Sequence, residues 1–161
     1  EKFYKAVDYL AAKKTADAAQ AFSDLGAQAS SGYGFLSQFY QAALLSKSGA
    51  VLEAIKVYDT IGSETSVPPS VRDLAIILGA LNALKISTIS SDIITKRVQK
   101  LSGPGRPYRH MAIEILALCA KRDGNIQEAR NRYQEVANDD EAPNGIRSRA
   151  AQMVEILGEG N

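Results

Sequence analysis

The chain has 161 residues, with 19 Lys+Arg against 18 Asp+Glu, one His, one Cys and no Trp. That length suits one domain or one short repeat array, and a formal charge of +1 gives no bulk electrostatic drive toward nucleic acid. A lone Cys119 and a lone His110 exclude an internal disulfide framework and a Cys-cluster zinc site, and the 45% hydrophobic content excludes a disordered tail.

Taken in chain order, the apolar residues keep a helical period. Phe3, Ala6, Val7 and Leu10 fall at i, i+3, i+4 and i+7; Leu36, Phe39, Tyr40 and Ala43 repeat the pattern, as do Leu74, Ile77, Leu78 and Leu81. Met111, Ile115 and Leu118 follow it again, and no run alternates as a half-buried strand does. All five prolines fall between these periodic segments, where a fixed φ and a missing N–H do no harm. Gly49 and Gly124 follow segments ending in Lys47 and in Lys121-Arg122, a helix C-terminus signal. The pattern predicts nine helices, over 2–13, 15–29, 33–48, 50–62, 69–86, 91–102, 107–122, 125–138 and 144–158. No apolar run is long enough to span a membrane.

The chain is also self-similar. Asp17-Ala18 through Leu25, Glu53-Ala54 through Ile61 and Glu128-Ala129 through Val136 share the frame acid-Ala-x-x-x-aromatic-x-x-aliphatic, with Phe22, Tyr58 and Tyr133 as the aromatics. A degenerate copy places Ile94, Val98 and Leu101 at the Ala, aromatic and aliphatic positions. In the preceding helices Ala6, Ala42, Ala80 and Ala117 recur at intervals of 36, 38 and 37. The third unit gains two residues in its Ser/Thr-rich turn, Ser87 to Ser91. Small residues at facing positions let paired helices approach closely, while the aromatic fills the space against the next pair. One pair cannot bury its apolar face alone, so units stack. The expected fold is all-α: a superhelix of four divergent hairpins closed by a capping helix at 144–158, forming a single domain over 1–161.

The spacing of Ala42, Gly49, Ala54 and Tyr58, and again of Ala117, Gly124, Ala129 and Tyr133, resembles the tetratricopeptide-repeat family. The first-helix Trp of that family is absent, and the closing prolines, Pro68 and Pro143, come late. A more specific resemblance rests on Lys13-Lys14, Asp17 to Phe22, Gly32-Tyr33, Arg72-Asp73-Leu74-Ala75, Gly103-Pro104-Gly105-Arg106-Pro107-Tyr108-Arg109-His110, Ala117 to Gly124 and Ala142 to Arg147. This order resembles the soluble domain of bacterial inner-membrane proteins related to the ancillary subunit of the SecYEG translocon. The resemblance implies a membrane helix upstream of Glu1, repeats on the periplasmic face, and partners among translocon subunits, periplasmic chaperones or their clients. It implies no enzyme and no cofactor. A scaffold for cell-division or outer-membrane assembly is the alternative within this class, and a lipid or small-ligand binding domain the alternative outside it.

Individual residues add little chemistry. Near the turn ahead of the seventh predicted helix, His110 reads as a packing or capping residue, and Cys119, among Leu116 to Ala120, as a buried thiol. Gly103-Pro104-Gly105-Arg106 lacks phosphate-loop spacing and reads as a connector. Asp139-Asp140-Glu141 reads as a solvated loop. Lys96, Arg97, Lys100, Arg106 and Arg109 form a basic stretch with no acid between Asp92 and Glu114, suited to an acidic partner or anionic lipid. The repeat register places Phe3, Leu36, Phe39, Leu74, Ile77 and Met111 on or near the concave side as a candidate partner-binding groove.

Overall fold

Apolar spacings of three and four residues, with no alternating run, leave the helix as the element that buries these side chains. The computed structural model describes residues 1–27 and 32–158, and among them it has nine α-helices and no strand. They are α1 (Lys2–Ala11), α2 (Thr15–Gly26), α3 (Gly32–Lys47), α4 (Val51–Ser63), α5 (Pro69–Ala83), α6 (Ser91–Val98), α7 (Arg109–Arg122), α8 (Ile126–Ala137) and α9 (Asn144–Gly158). Of the segment expected at 15–29, positions 28 and 29 lie outside the described residues.

The first two helices end early, at Ala11 and Gly26, and three further boundaries differ from the periodicity for local reasons. The segment expected to run to 86 ends at Ala83, because Lys85 N–H bonds Asn82 O and Ile86 N–H bonds Ala83 O in three-residue turns. The segment expected at 91–102 is α6 followed by one 3₁₀ turn, Gln99–Leu101, which tightens its end. The helix expected from 107 begins at Arg109, since Tyr108 (φ −113°, ψ 25°) lies outside helical geometry.

The chain forms two compact units, Glu1–Ile86 and Ser87–Asn161, and the division falls beside the Ser/Thr-rich turn that carries two extra residues. In the first unit α1 through α5 pack each on its chain neighbour; in the second, α6 through α9 do the same. Every small position of the repeat frame is fully buried: Ala6, Ala42, Ala80 and Ala117 in the first helices, Ala18, Ala54 and Ala129 in the second. The degenerate copy is equally closed, with Ile94 and Val98 fully buried and Leu101 nearly so.

The frame aromatics bridge to the next helix. Phe22 stacks on Tyr40 of α3 (centroids 4.7 Å apart, planes 7° apart), Tyr58 shares a cluster with Ala75 of α5, and Tyr133 shares one with Ala150 and Leu157 of α9. Each such side chain contributes roughly 1.5–3 kcal/mol by leaving water. Close approach is also built into the ends of the second helices. A Cβ on Gly26 would lie 2.9 Å from Gln38 Cγ, and one on Gly62 3.1 Å from Ile76 Cγ1. Those two glycines are 36 residues apart and each lies eight after the frame alanine.

The turns inside the hairpins share one conformation. Gly49 (φ 90°), Gly124 (φ 79°) and Lys13 (φ 57°) each stand five residues before the frame alanine in the left-handed region. At Lys13 and Gly124 the Schellman pattern is complete: Lys13 N–H reaches Leu10 O and Lys14 N–H reaches Tyr9 O, while Gly124 reaches Lys121 O and Asn125 reaches Ala120 O.

Candidate functional site

An aromatic face joins α1 and α3 in the first unit. α1 carries Phe3 and Tyr4 side by side, so helical geometry can turn only one of them fully toward the core. Phe3 takes that place. Its ring lies 5.8 Å from Phe22 and 5.9 Å from Tyr40 beneath, and 5.4 Å from Tyr33 and 6.0 Å from Tyr4 above. Tyr4 and Tyr33 are left 63% and 55% exposed, and Leu36, one turn along from Tyr33, is 43% exposed. The hydroxyls of Tyr4 and Tyr33 hydrogen-bond, and this bond with the neighbouring phenol's charge pushes the Tyr33 phenol above its ordinary value. Ser37 Oγ–H bonds Tyr33 O at 2.6 Å, so the backbone under the face is also tied. A depression of about 220 Å³ lined by Phe3, Tyr4, Leu25 and Tyr33, with Glu1 and Lys2 at its rim, opens beside it.

The groove residues expected from the repeat register part company here. Phe3 and Leu36 belong to this face. Phe39 is half-buried and packs against Tyr58 at 6.0 Å. Leu74 is half-buried, whereas Ile77 is fully buried and offers no surface to a partner. Met111 is half-buried in the second unit. Tyr4 escaped the sequence reading because only the face it turns to, not its composition, separates it from Phe3.

The basic stretch is largely engaged. Lys96 Nζ pairs with Asp92 at 2.7 Å, one turn away. Arg109 turns inward: its guanidinium donates to Asp139 and, at 2.9 Å, to Glu135. Arg97 and Arg106 also have interactions of their own, and Lys100 is exposed. His110 Nε2 lies 2.9 Å from the same Asp139 oxygen. Asp139 is therefore not part of a solvated loop, as its sequence suggested, because Arg109, His110 and the Glu141 N–H gather round it. His110 bonding, then the Glu141 N–H, then Arg109 hold its carboxyl down to about 2. Asp140 and Glu141 are exposed. Gly103-Pro104-Gly105-Arg106 is a turn with Gly105 at φ 73°.

Cys119 is buried, and desolvation pushes its thiol up despite help from Thr95, Arg122 and Ser91. Among the described residues no three His, Cys, Asp or Glu side chains group so as to hold a metal ion, and no helix is long and apolar enough to cross a membrane. What the α1–α3 face can do chemically is bind: two solvent-facing rings and an aliphatic side chain rest on a packed aromatic base.

The fold and face define an all-α helical-repeat protein with an exposed aromatic surface. No family model, no curated protein and no solved structure matches the chain.

Proposed function

We propose that the chain is a non-catalytic protein-binding scaffold that engages partners through the α1–α3 face. The observation that carries this reading is the contiguous exposure of Tyr4, Tyr33 and Leu36 over the half-buried Phe3 ring. Rigid aromatics over a packed base supply contact area at little ordering cost, the property that makes Tyr frequent among residues dominating interfaces. The likeness to the ancillary translocon subunit supports a setting in the bacterial cell envelope, on the periplasmic face of the inner membrane, with translocon subunits, chaperones or their clients as partners.

The test is a double substitution, Tyr33→Asp with Leu36→Asp, read by partner co-purification and by thermal unfolding. Loss of partner binding by about tenfold or more with an unchanged unfolding midpoint is the expected result. Unchanged binding in a folded variant would remove the face from the account.

A further inference from the structure

A second surface of the first unit lies on the α1–α2 hairpin. α1 and α2 run antiparallel about the turn at Ala12–Lys14, and the side of this hairpin away from α3 is a groove of about 390 Å³. Lys2, Lys5 and Tyr9 line one wall, and Asp17, Gln20 and Asp24 the other, over a floor of Ala21 and Leu25. No ion pair crosses it among the described residues. Gln20 Nε2–H donates to Asp24 along its own wall at 2.8 Å, and Lys5 Nζ lies 6.0 Å over the Tyr9 ring.

The repeat shows what this row of residues is for. Lys2, Lys5 and Tyr9 precede Gln38, Gln41 and Leu45 by 36 residues each. On α3 that row docks a helix: Gln38 Nε2–H donates to Gly26 O and Gln41 Nε2–H to Ser23 Oγ, both on α2. On α5 the equivalent Ile76 meets Gly62 of α4. On α1 the same row carries two cations, and no helix among the described residues docks on it.

We infer that this groove is the interface of a two-fold homodimer in which α1 of one copy lies on α2 of the other. Charge selects both the occupant and the axis. A two-fold axis along the groove preserves position along the helices and exchanges the walls, so Lys2 meets Asp24 of the partner subunit. At roughly 1.5 Å rise per residue, Lys5 falls between Asp24 and Gln20 of the partner subunit, and Tyr9 comes level with Asp17 of the partner subunit. The pairing occurs twice by symmetry, as an isologous contact requires. An axis across the groove would set the Lys2–Lys5 wall on the same wall of the partner, lysine against lysine, and is repelled. The surface adjoins the Tyr4–Tyr33–Leu36 face without using those three side chains, so the inference stands apart from the proposed function.

Sedimentation equilibrium on the intact chain tests it with two exposed-surface variants, Lys2→Glu/Lys5→Glu and Asp17→Lys/Asp24→Lys, each checked for an unchanged unfolding midpoint. The wild type is expected to dimerise with an affinity that weakens as salt rises. Each variant alone is expected to weaken self-association about tenfold or more, and an equimolar mixture of the two to recover it as a heterodimer. A wild type that stays monomeric up to about 1 mM, a dimer indifferent to both variants, or a mixture that fails to re-associate would each overturn the inference. The last two results would assign the groove to a helix of another protein or leave it as a solvated edge.

Discussion

At position 13 a lysine does a glycine's work. Its φ of 57° is that of Gly49 and Gly124 in the equivalent turns, and a side chain in this region costs on the order of 1 kcal/mol. Lys13→Gly is therefore expected to stabilise the fold by about 0.5–1 kcal/mol, and Gly124→Ala to destabilise it by about 1 kcal/mol. Chemical denaturation of the two variants beside the wild type checks both signs. Asp139 sets a second residue-scale expectation. Its carboxyl titrates at about 2 in the folded chain against an ordinary 3.8. A group whose folded value is depressed stabilises the fold above its unfolded value and loses that share as pH falls through the folded one. Stability is thus expected to fall between about pH 4 and pH 2, and Asp139→Asn to flatten that limb in an acid titration followed by circular dichroism. Glu64, lowered by the Ser66 N–H, keeps a share of its own.

Among the elements, the hairpins were legible because small, aromatic and aliphatic positions recur at a fixed interval, and burial obeys that interval even in the degenerate copy at Ile94, Val98 and Leu101. The contacts that seat α9 were not legible, since Glu114 and Arg149 lie 35 residues apart and only the packed helices bring them together. Arg149 grips Glu114 with two parallel bonds, at 2.9 and 2.7 Å. The Glu114 side chain is 10% exposed and that of Arg149 58%. Removing one partner of a wholly buried pair costs about 3–5 kcal/mol; because Arg149 is more than half in solvent, Arg149→Ala is expected to cost about 1–2 kcal/mol. Beside them Tyr133, its phenol pushed up to about 12 by burial first and the Glu114 charge second, stays neutral. Hydrogen exchange should show α9 losing protection first in that variant. The same logic explains the misread acid loop: a solvated appearance in sequence gives no hint that Arg109 and His110 reach Asp139 from another helix.

For the whole molecule, buried alanines at every frame position describe a stack of closely packed helices. The two units divide where the repeat is longest, so the regular hairpins lie on either side of the irregular turn at Ser87 to Ser91. The helical period and the recurring frame made the fold class readable. Neither revealed which aromatics face water, because Tyr4 is exposed only through its neighbour Phe3 taking the inward side of α1. The central claim, that the α1–α3 face binds another protein, is tested most directly by photo-crosslinking. A photoreactive phenylalanine analogue is placed at Leu36, and in a parallel sample at the exposed Gln127, in the protein in its native cells. The account predicts a discrete adduct from position 36 that Tyr33→Asp abolishes and that position 127 does not give. No adduct at 36, or the same adducts from both positions, would contradict it.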